Sequence, residues 1–238
     1  MNQILPISLT IVALTVIASC AFFFRTSVPD EPSAPQENLA PVSASHYKSA
    51  VTTVFWAGEG ATAENDFISN SASFWDESWT ERYGGYDDPE CRIEYHPCGF
   101  KPRENPFYVA LPFADYFEGA FKESAKMVPW FSDAPLGEPL LKNRWVEVRV
   151  GKKSCFGQWE DVGPNGEDDF AYVFGDAAYP KNTFGEKAGI DVSPAMRDCL
   201  GIDGSAIAMW RFTDKADVPE GPWKDTVTES GVSWLSEK

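Results

Sequence analysis

Histidine is nearly absent from this chain: His46 and His96 are the only two among 238 residues. Catalytic triads built on imidazole therefore have almost no material to use. Positive charge is scarce as well, with 20 Lys and Arg against 36 Asp and Glu, a formal net charge of −16. A field of that sign repels nucleic-acid backbones and anionic lipid surfaces, while neutral or cationic partners, glycans included, stay open. Several catalytic signatures are missing too: there is no Gly-x-Ser-x-Gly elbow, Walker loop, His-Glu-x-x-His pair or dinucleotide fingerprint. The acidic pairs Asp87-Asp88 and Asp168-Asp169 lack the ligand spacing of a recognised calcium loop and read as solvated acids. No metal or cofactor is expected.

One long uncharged run is present, from Ile4 to Phe24, ending at Arg25. Its length suits either a bilayer span or a signal peptide, and both mean export. Within it, Ile17-Ala18-Ser19-Cys20 resembles a bacterial lipoprotein cleavage box, which would leave Cys20 as a lipidated N-terminus. Against that, the first three residues carry no Lys or Arg and the apolar run continues past Cys20, as an uncleaved helix would; simple secretion is the third alternative. Residues 26 to 50, rich in Pro, Ser, Ala and acids, read as a disordered tether, and the folded part starts near Val51.

The four remaining cysteines, Cys91, Cys98, Cys155 and Cys199, are an even number in an exported domain and imply two disulfides with three possible pairings. Cys91 with Cys98 and Cys155 with Cys199 is the preferred pairing, because the first two close a short loop. A zinc site competes poorly, since no Cys-x-x-Cys pair occurs.

At 43% hydrophobic and 14% aromatic residues, the chain can bury one good core. No long helical periodicity follows residue 50; short β-rich runs alternate with Gly, Pro, Asn and Asp clusters, which predicts a mainly β fold. Strands are expected at 51–57, 107–113, 145–150, 170–175, 189–192 and 206–212. In the third of these, Val146, Val148 and Val150 take one face and Trp145, Glu147 and Arg149 the other, a dry side and a wet side. A helix is expected within 116–127, ending before Pro129. Ser193 as N-cap, Pro194 at the first position and Gly201 past the end predict a short helix running directly out of the strand at 189–192.

The succession of "NRWVEVRV", "EDVGP", "AGIDVSPAMRDCLGI" and "AIAMWRF" resembles the six-stranded double-psi β-barrel of rare lipoprotein A-like (RlpA-like) proteins, relatives of expansins, barwin and family 45 endoglucanases. In that family's pattern a strand of alternating valines leads to an Asp-Arg-Gly-Pro turn, and an Ile-Asp-Leu-Ser turn opens a helix ending in Leu-Gly. Asp161-Val162-Gly163-Pro164 is similar to the first and Ile190-Asp191-Val192-Ser193 to the second. "FYVALPF" looks like the family's Leu-Pro strand. The resemblance assigns 51–213 to the barrel, with an insertion at about 67–104 and a C-terminal tail at 214–238. Two departures stand out. Tyr108 occupies the position of a histidine found in the lytic members, and the acidic residue near the start falls on Asp66 in place of Glu.

What the resemblance implies for function is polysaccharide chemistry at a bacterial envelope, with peptidoglycan as partner. Cleaving a glycosidic bond needs a carboxylic acid to protonate the leaving oxygen, its pKa raised by a partly apolar setting. Inverting hydrolysis adds a second carboxylate roughly 6.5–9.5 Å away. Asp161 and Asp191 are the leading acids, with Asp66 or Glu59 as a third. Each has a plainer role open to it: Asp191 in bracing the turn into the helix, Asp161 in bonding its own backbone before Gly-Pro, and the other two as surface acids. Sugar rings stack on aromatic planes, which makes Tyr108, Trp56, Trp75, Trp79 and Trp159 candidate substrate contacts. His96 reads as part of a loop pinned by Cys98. The expected function is an exported, membrane-tethered protein binding polysaccharide without cutting it, as expansins do; the alternative is a lytic transglycosylase-like enzyme using Asp161 or Asp191 as acid.

Overall fold

The computed structural model describes residues 46–231. Cys20, the apolar run around it and most of the proposed tether lie outside the described residues. Six strands close into a barrel: β1 (Lys48–Val54), β2 (Tyr108–Leu111), β3 (Trp145–Val150), β4 (Lys153–Val162), β5 (Ile190–Val192) and β6 (Ala206–Phe212). Around the barrel the order is β1, β6, β3, β4, β2, β5 and back to β1. The β4–β2 and β5–β1 contacts are parallel and the others antiparallel. This closed, mixed barrel is mainly β and is compatible with a double-psi arrangement.

Closure removes exposed edges and lets alternate residues fill the interior. Val109, Leu111, Val146, Val148, Ile190, Val192, Ala208 and Trp210 all fall in the buried core. Aromatic rings extend that core: Trp159 and Phe174 each stack on Phe212, at centroid distances of 5.8 and 5.5 Å. The described part of the C-terminal segment is packed against this body. Trp223 is buried against Phe107 and Phe156, and Thr228 exchanges hydrogen bonds with Gln158 and accepts one from the Asn105 backbone N–H.

The disulfides are Cys91–Cys98 and Cys155–Cys199. The first closes a small hairpin, Arg92–Ile93 against His96–Pro97, and the second ties β4 to the helix that follows β5. Two such bonds fit a non-reducing, exported environment. No helix among the described residues is long and apolar enough to cross a membrane.

Local expectations differ from the structure in several places. The longest strand, β4, is not signalled by alternation, because Gly157 and Gln158 interrupt it and both of its faces are buried. Residues 170–175 form no strand: Asp169 accepts a hydrogen bond from the Tyr172 amide and caps a short helix, α2 (Phe170–Val173). Within 116–127, Glu118 and Gly119 take φ of 48° and 84°, turning Tyr116–Phe117 back on Ala120–Phe121 as a hairpin; one 3-10 helix, Glu123–Met127, follows. Positive φ at both central residues is the hairpin geometry that fits strand twist. The wet side of β3 is largely dry, since Trp145 and Glu147 are buried. Glu147 collects hydrogen bonds from Tyr47, Ser154, Arg149 and Arg211 at 2.6–2.8 Å. Burial works against its charge, but these four donors prevail and hold its pKa at about 2. The first strand starts at Lys48, inside the stretch expected to be tether.

Candidate functional site

The site is built by strand register. Thr53 on β1 pairs with Asp191 on β5, Asp191 pairs with Ala110 on β2, and Ala110 pairs with Asp161 on β4. One row across four strands thus reads Thr53, Asp191, Ala110, Asp161. Neighbouring strands lie about 4.8 Å apart, so two spacings place the acids' Cα atoms within about 10 Å of each other. Ala110 between them carries only a methyl group and leaves a slot.

Asp161 reaches this row through a bulge. Val109 pairs with Trp159 and Ala110 with Asp161, so two residues of β4, Glu160 and Asp161, stand opposite one of β2. Trp159 points into the aromatic core; without the bulge, strict alternation would send Asp161 to the same side. The next residues turn at Gly163-Pro164, joined by a cis peptide.

The row forms part of a groove of about 580 Å³. Phe55 and Trp56 after β1, the 163–165 turn, the 184–186 loop and Pro89-Glu90 of the insertion contribute to its walls. Trp56 donates its indole N–H to the Tyr86 hydroxyl at 3.0 Å on the exposed side. A Cβ added at Gly163 would lie 3.9 Å from Asp191 Oδ2, which places the turn directly beside that carboxyl.

The two acids are held differently. Asp161 Oδ1 accepts the amide N–H groups of Phe74 and Val162, both at 2.7 Å. Asp191 Oδ1 accepts the Thr53 hydroxyl, and the carboxyl contacts no backbone N–H among the described residues. The helix α3 (Pro194–Leu200) has its own cap, because Ser193 Oγ accepts the Met196 N–H at 3.2 Å. Asp191 is therefore not spent on the turn. Gly201 ends that helix at φ 64°, as its position in the sequence predicts.

Burial dominates the electrostatics. It pushes Asp161 to about 7 against the pull of its two amide donors, with the charges of Asp191 and Glu160 adding to the rise. Asp191 also rises to about 7: burial exceeds the Thr53 hydrogen bond, and Glu59 adds repulsion. Glu59 lies in the same groove, and burial raises it despite hydrogen bonds that include Asn70 Nδ2 at 2.6 Å. A carboxyl that keeps its proton near neutral pH can act as a general acid, so the arrangement can deliver a proton to a bond lying in the groove.

The remaining candidates are distributed elsewhere. Asp66 is an exposed acid that accepts a hydrogen bond from Asn165 Nδ2 at 3.1 Å, and Glu59, not Asp66, joins the two floor acids as a groove-lining carboxylate. Of the aromatic candidates, Trp56 lines the groove. Trp75, Trp79, Trp159 and Tyr108 are each at most 1% exposed, so their rings have no face to offer a ligand. Trp75 and Trp159 meet edge to face in the main core.

Tyr108 anchors a second cluster with Phe55, Trp79 and Tyr83, the last two from α1 (Trp79–Tyr83) in the insertion. Its hydroxyl donates to Asp87 Oδ2 at 2.7 Å and accepts from Ala57 N at 2.9 Å. Asp87 is also paired with Arg92. Asp169 caps α2, and Asp168 pairs with Lys122 at 2.9 Å. His96 belongs to the hairpin closed by Cys91–Cys98 and does not line the groove.

Sequence reasoning missed Thr53 and Arg197 as groove residues. Thr53 carries no motif of its own and becomes visible only through pairing with Asp191. The Arg197 guanidinium reaches across to donate to the Pro89 carbonyl at 2.9 Å, a contact over 108 residues. Compared with models of protein families and with curated proteins, the chain matches none of them.

Proposed function

We propose that the groove cleaves glycosidic bonds of a bacterial envelope polysaccharide, with Asp191 as general acid, on an exported protein tethered by its N-terminal apolar run. The observation that carries this reading is the shared row: two carboxyls flank Ala110 on the floor of one groove, each raised to about 7. Two carboxyls this close do not ionise independently, and one keeps its proton while the other is charged. The two backbone N–H groups on Asp161 favour it as the carboxylate. We assign the proton to Asp191, which has one hydroxyl donor and an open Oδ2.

In the reaction that proton passes to the glycosidic oxygen as the bond from C1 breaks, and the Asp161 carboxylate stabilises the positive charge growing on the sugar ring. A hydroxyl of the same sugar, or a water, then bonds to C1 and returns its proton to Asp191. A second reading, binding without cutting, is favoured by one observation: the residue in the histidine position of the lytic family, Tyr108, is buried beneath the groove wall.

Incubating the purified chain with peptidoglycan and with cellulose separates the two. New anhydro-sugar or reducing ends that vanish in Asp191→Asn support cleavage, and co-sedimentation without products supports binding alone. Neither cleavage nor co-sedimentation would remove the polysaccharide from both readings.

A further inference from the structure

The charge of the groove is one-sided. Asp161 and Asp191 lie on its floor with Glu59 beside them. Glu64, Glu90, Glu186 and Asp203 continue the same sign toward the rim, where all four are exposed. Arg197 is the one basic residue lining it among the described residues. Its guanidinium is already committed to the Pro89 carbonyl and to Asp198, each at 2.9 Å.

The floor also presents open polar atoms. Asp161 is 6% exposed, its Oδ1 is filled by two amide N–H groups, and its Oδ2 has no hydrogen-bond partner among the described residues. Asp191 Oδ2 is likewise unpartnered among the described residues. A ligand that donates to Asp161 Oδ2, accepts the proton of Asp191 and carries positive charge suits both atoms. An acetamido group adds bulk and no charge, and an anionic chain meets repulsion along the whole groove.

We infer that the groove selects polysaccharide carrying free, protonated amino groups, that is, chains of de-N-acetylated hexosamine. The inference rests on the glycan reading of the same groove and narrows its substrate class. The sugar ring supplies hydroxyl donors for the floor and an apolar face for Trp56, while the ammonium groups meet the carboxylates of floor and rim. Rim charges in open solvent act at short range and are screened by salt, so the preference is ionic-strength dependent.

The test is calorimetric binding of the full chain to two probes of equal length, the hexamer of glucosamine and the hexamer of N-acetylglucosamine, at low salt and at about 0.5 M NaCl. The glucosamine hexamer is expected to bind at least tenfold more tightly at low salt, with most of that margin lost at high salt. Glu64→Gln with Glu90→Gln, both at the rim and outside the proton-transfer machinery, is expected to weaken the glucosamine hexamer about tenfold and leave the acetylated one unchanged. Equal or tighter binding of the acetylated hexamer overturns the inference and spares the glycan reading. Binding of hexalysine as tight as that of the glucosamine hexamer overturns it in favour of a basic peptide. Binding of neither sugar overturns it too, and the cleavage assay on peptidoglycan then decides the broader reading by itself.

Discussion

Replacing Asp161 with Asn should stabilise the protein above neutral pH and leave it unchanged in acid. The side chain's Oδ1 holds the Phe74 and Val162 amides, and the Asn carbonyl can accept the same two bonds. Only Oδ2, which faces the groove, becomes an amide. What the substitution removes is the cost of ionising a carboxyl in a nearly buried place.

The sign follows from linkage. Asp161 titrates at about 7 when folded and near 3.8 when unfolded, so its neutral form is favoured by folding. The stability linked to that proton is fully present below pH 3.8 and is lost as pH rises toward 7. At ~1.4 kcal/mol per unit the whole shift amounts to an upper figure of ~4 kcal/mol. Relaxation around a site that opens on groove water brings a realistic value nearer ~2 kcal/mol. For a domain of this size that is a rise in Tm of about 4–8 °C at pH 8. Urea unfolding of the chain and the variant, followed from pH 4 to 9, gives the difference directly: near zero in acid, growing through the window, flat above it. A variant that is less stable at pH 8, or a difference that does not change with pH, would refute the burial argument for Asp161 and with it the electrostatics of the groove.

Three further outcomes follow from the same contacts. Thr53→Val deletes the hydroxyl that favours ionised Asp191, so the high-pH limb of any cleavage profile should move upward, and Thr53→Ser should restore it; an unmoved limb would exclude Asp191 as the acid. Removing Cys155–Cys199, which closes a separation of 44 residues, should cost about 4 kcal/mol in the chain-entropy view, against about 2 kcal/mol for the Cys91–Cys98 loop of 7, as read by denaturant midpoints of the paired Ser variants. Lys142 and Glu160 form a pair at 2.8 Å with both side chains 1% exposed, so Lys142→Met alone should lose about 3–5 kcal/mol, whereas Lys142→Met with Glu160→Leu should recover most of it in the same assay.

How far these features could be read from sequence depended on whether a local signal agreed with its tertiary setting. The strands at Trp145–Val150 and Ala206–Phe212 were legible because valine alternation and apolar content match what the barrel asks of them. The turn from Ile190 into the helix at Pro194 was legible because cap, proline and terminal glycine are chemically specific. Residues 170–175 misled, since "FAYVFG" has strand composition and only the Asp169 cap and the packing of Phe170 and Phe174 on Phe113 favour a helix. The tryptophans misled for a related reason. A large ring near a predicted loop can serve a core or a ligand equally well, and Trp75, Trp79 and Trp159 are drawn inward by partners on distant segments that sequence does not reveal.

The site itself turns on one residue of register. Asp161 sits two positions after Trp159, and in a regular strand both side chains would enter the same layer, which is the aromatic core. A carboxyl there would lack water and a counter-charge and could not be accommodated. The bulge opposite Ala110 absorbs the conflict: Trp159 stays in the core and donates its indole N–H to the Asp161 carbonyl at 2.7 Å, while the Asp161 carboxyl is delivered to the row that already holds Asp191. Pairing two acids across one alanine is thus a consequence of keeping a tryptophan buried. The motifs at 161 and 191, 30 residues apart in the chain, acquire a common chemistry only once the barrel closes between them.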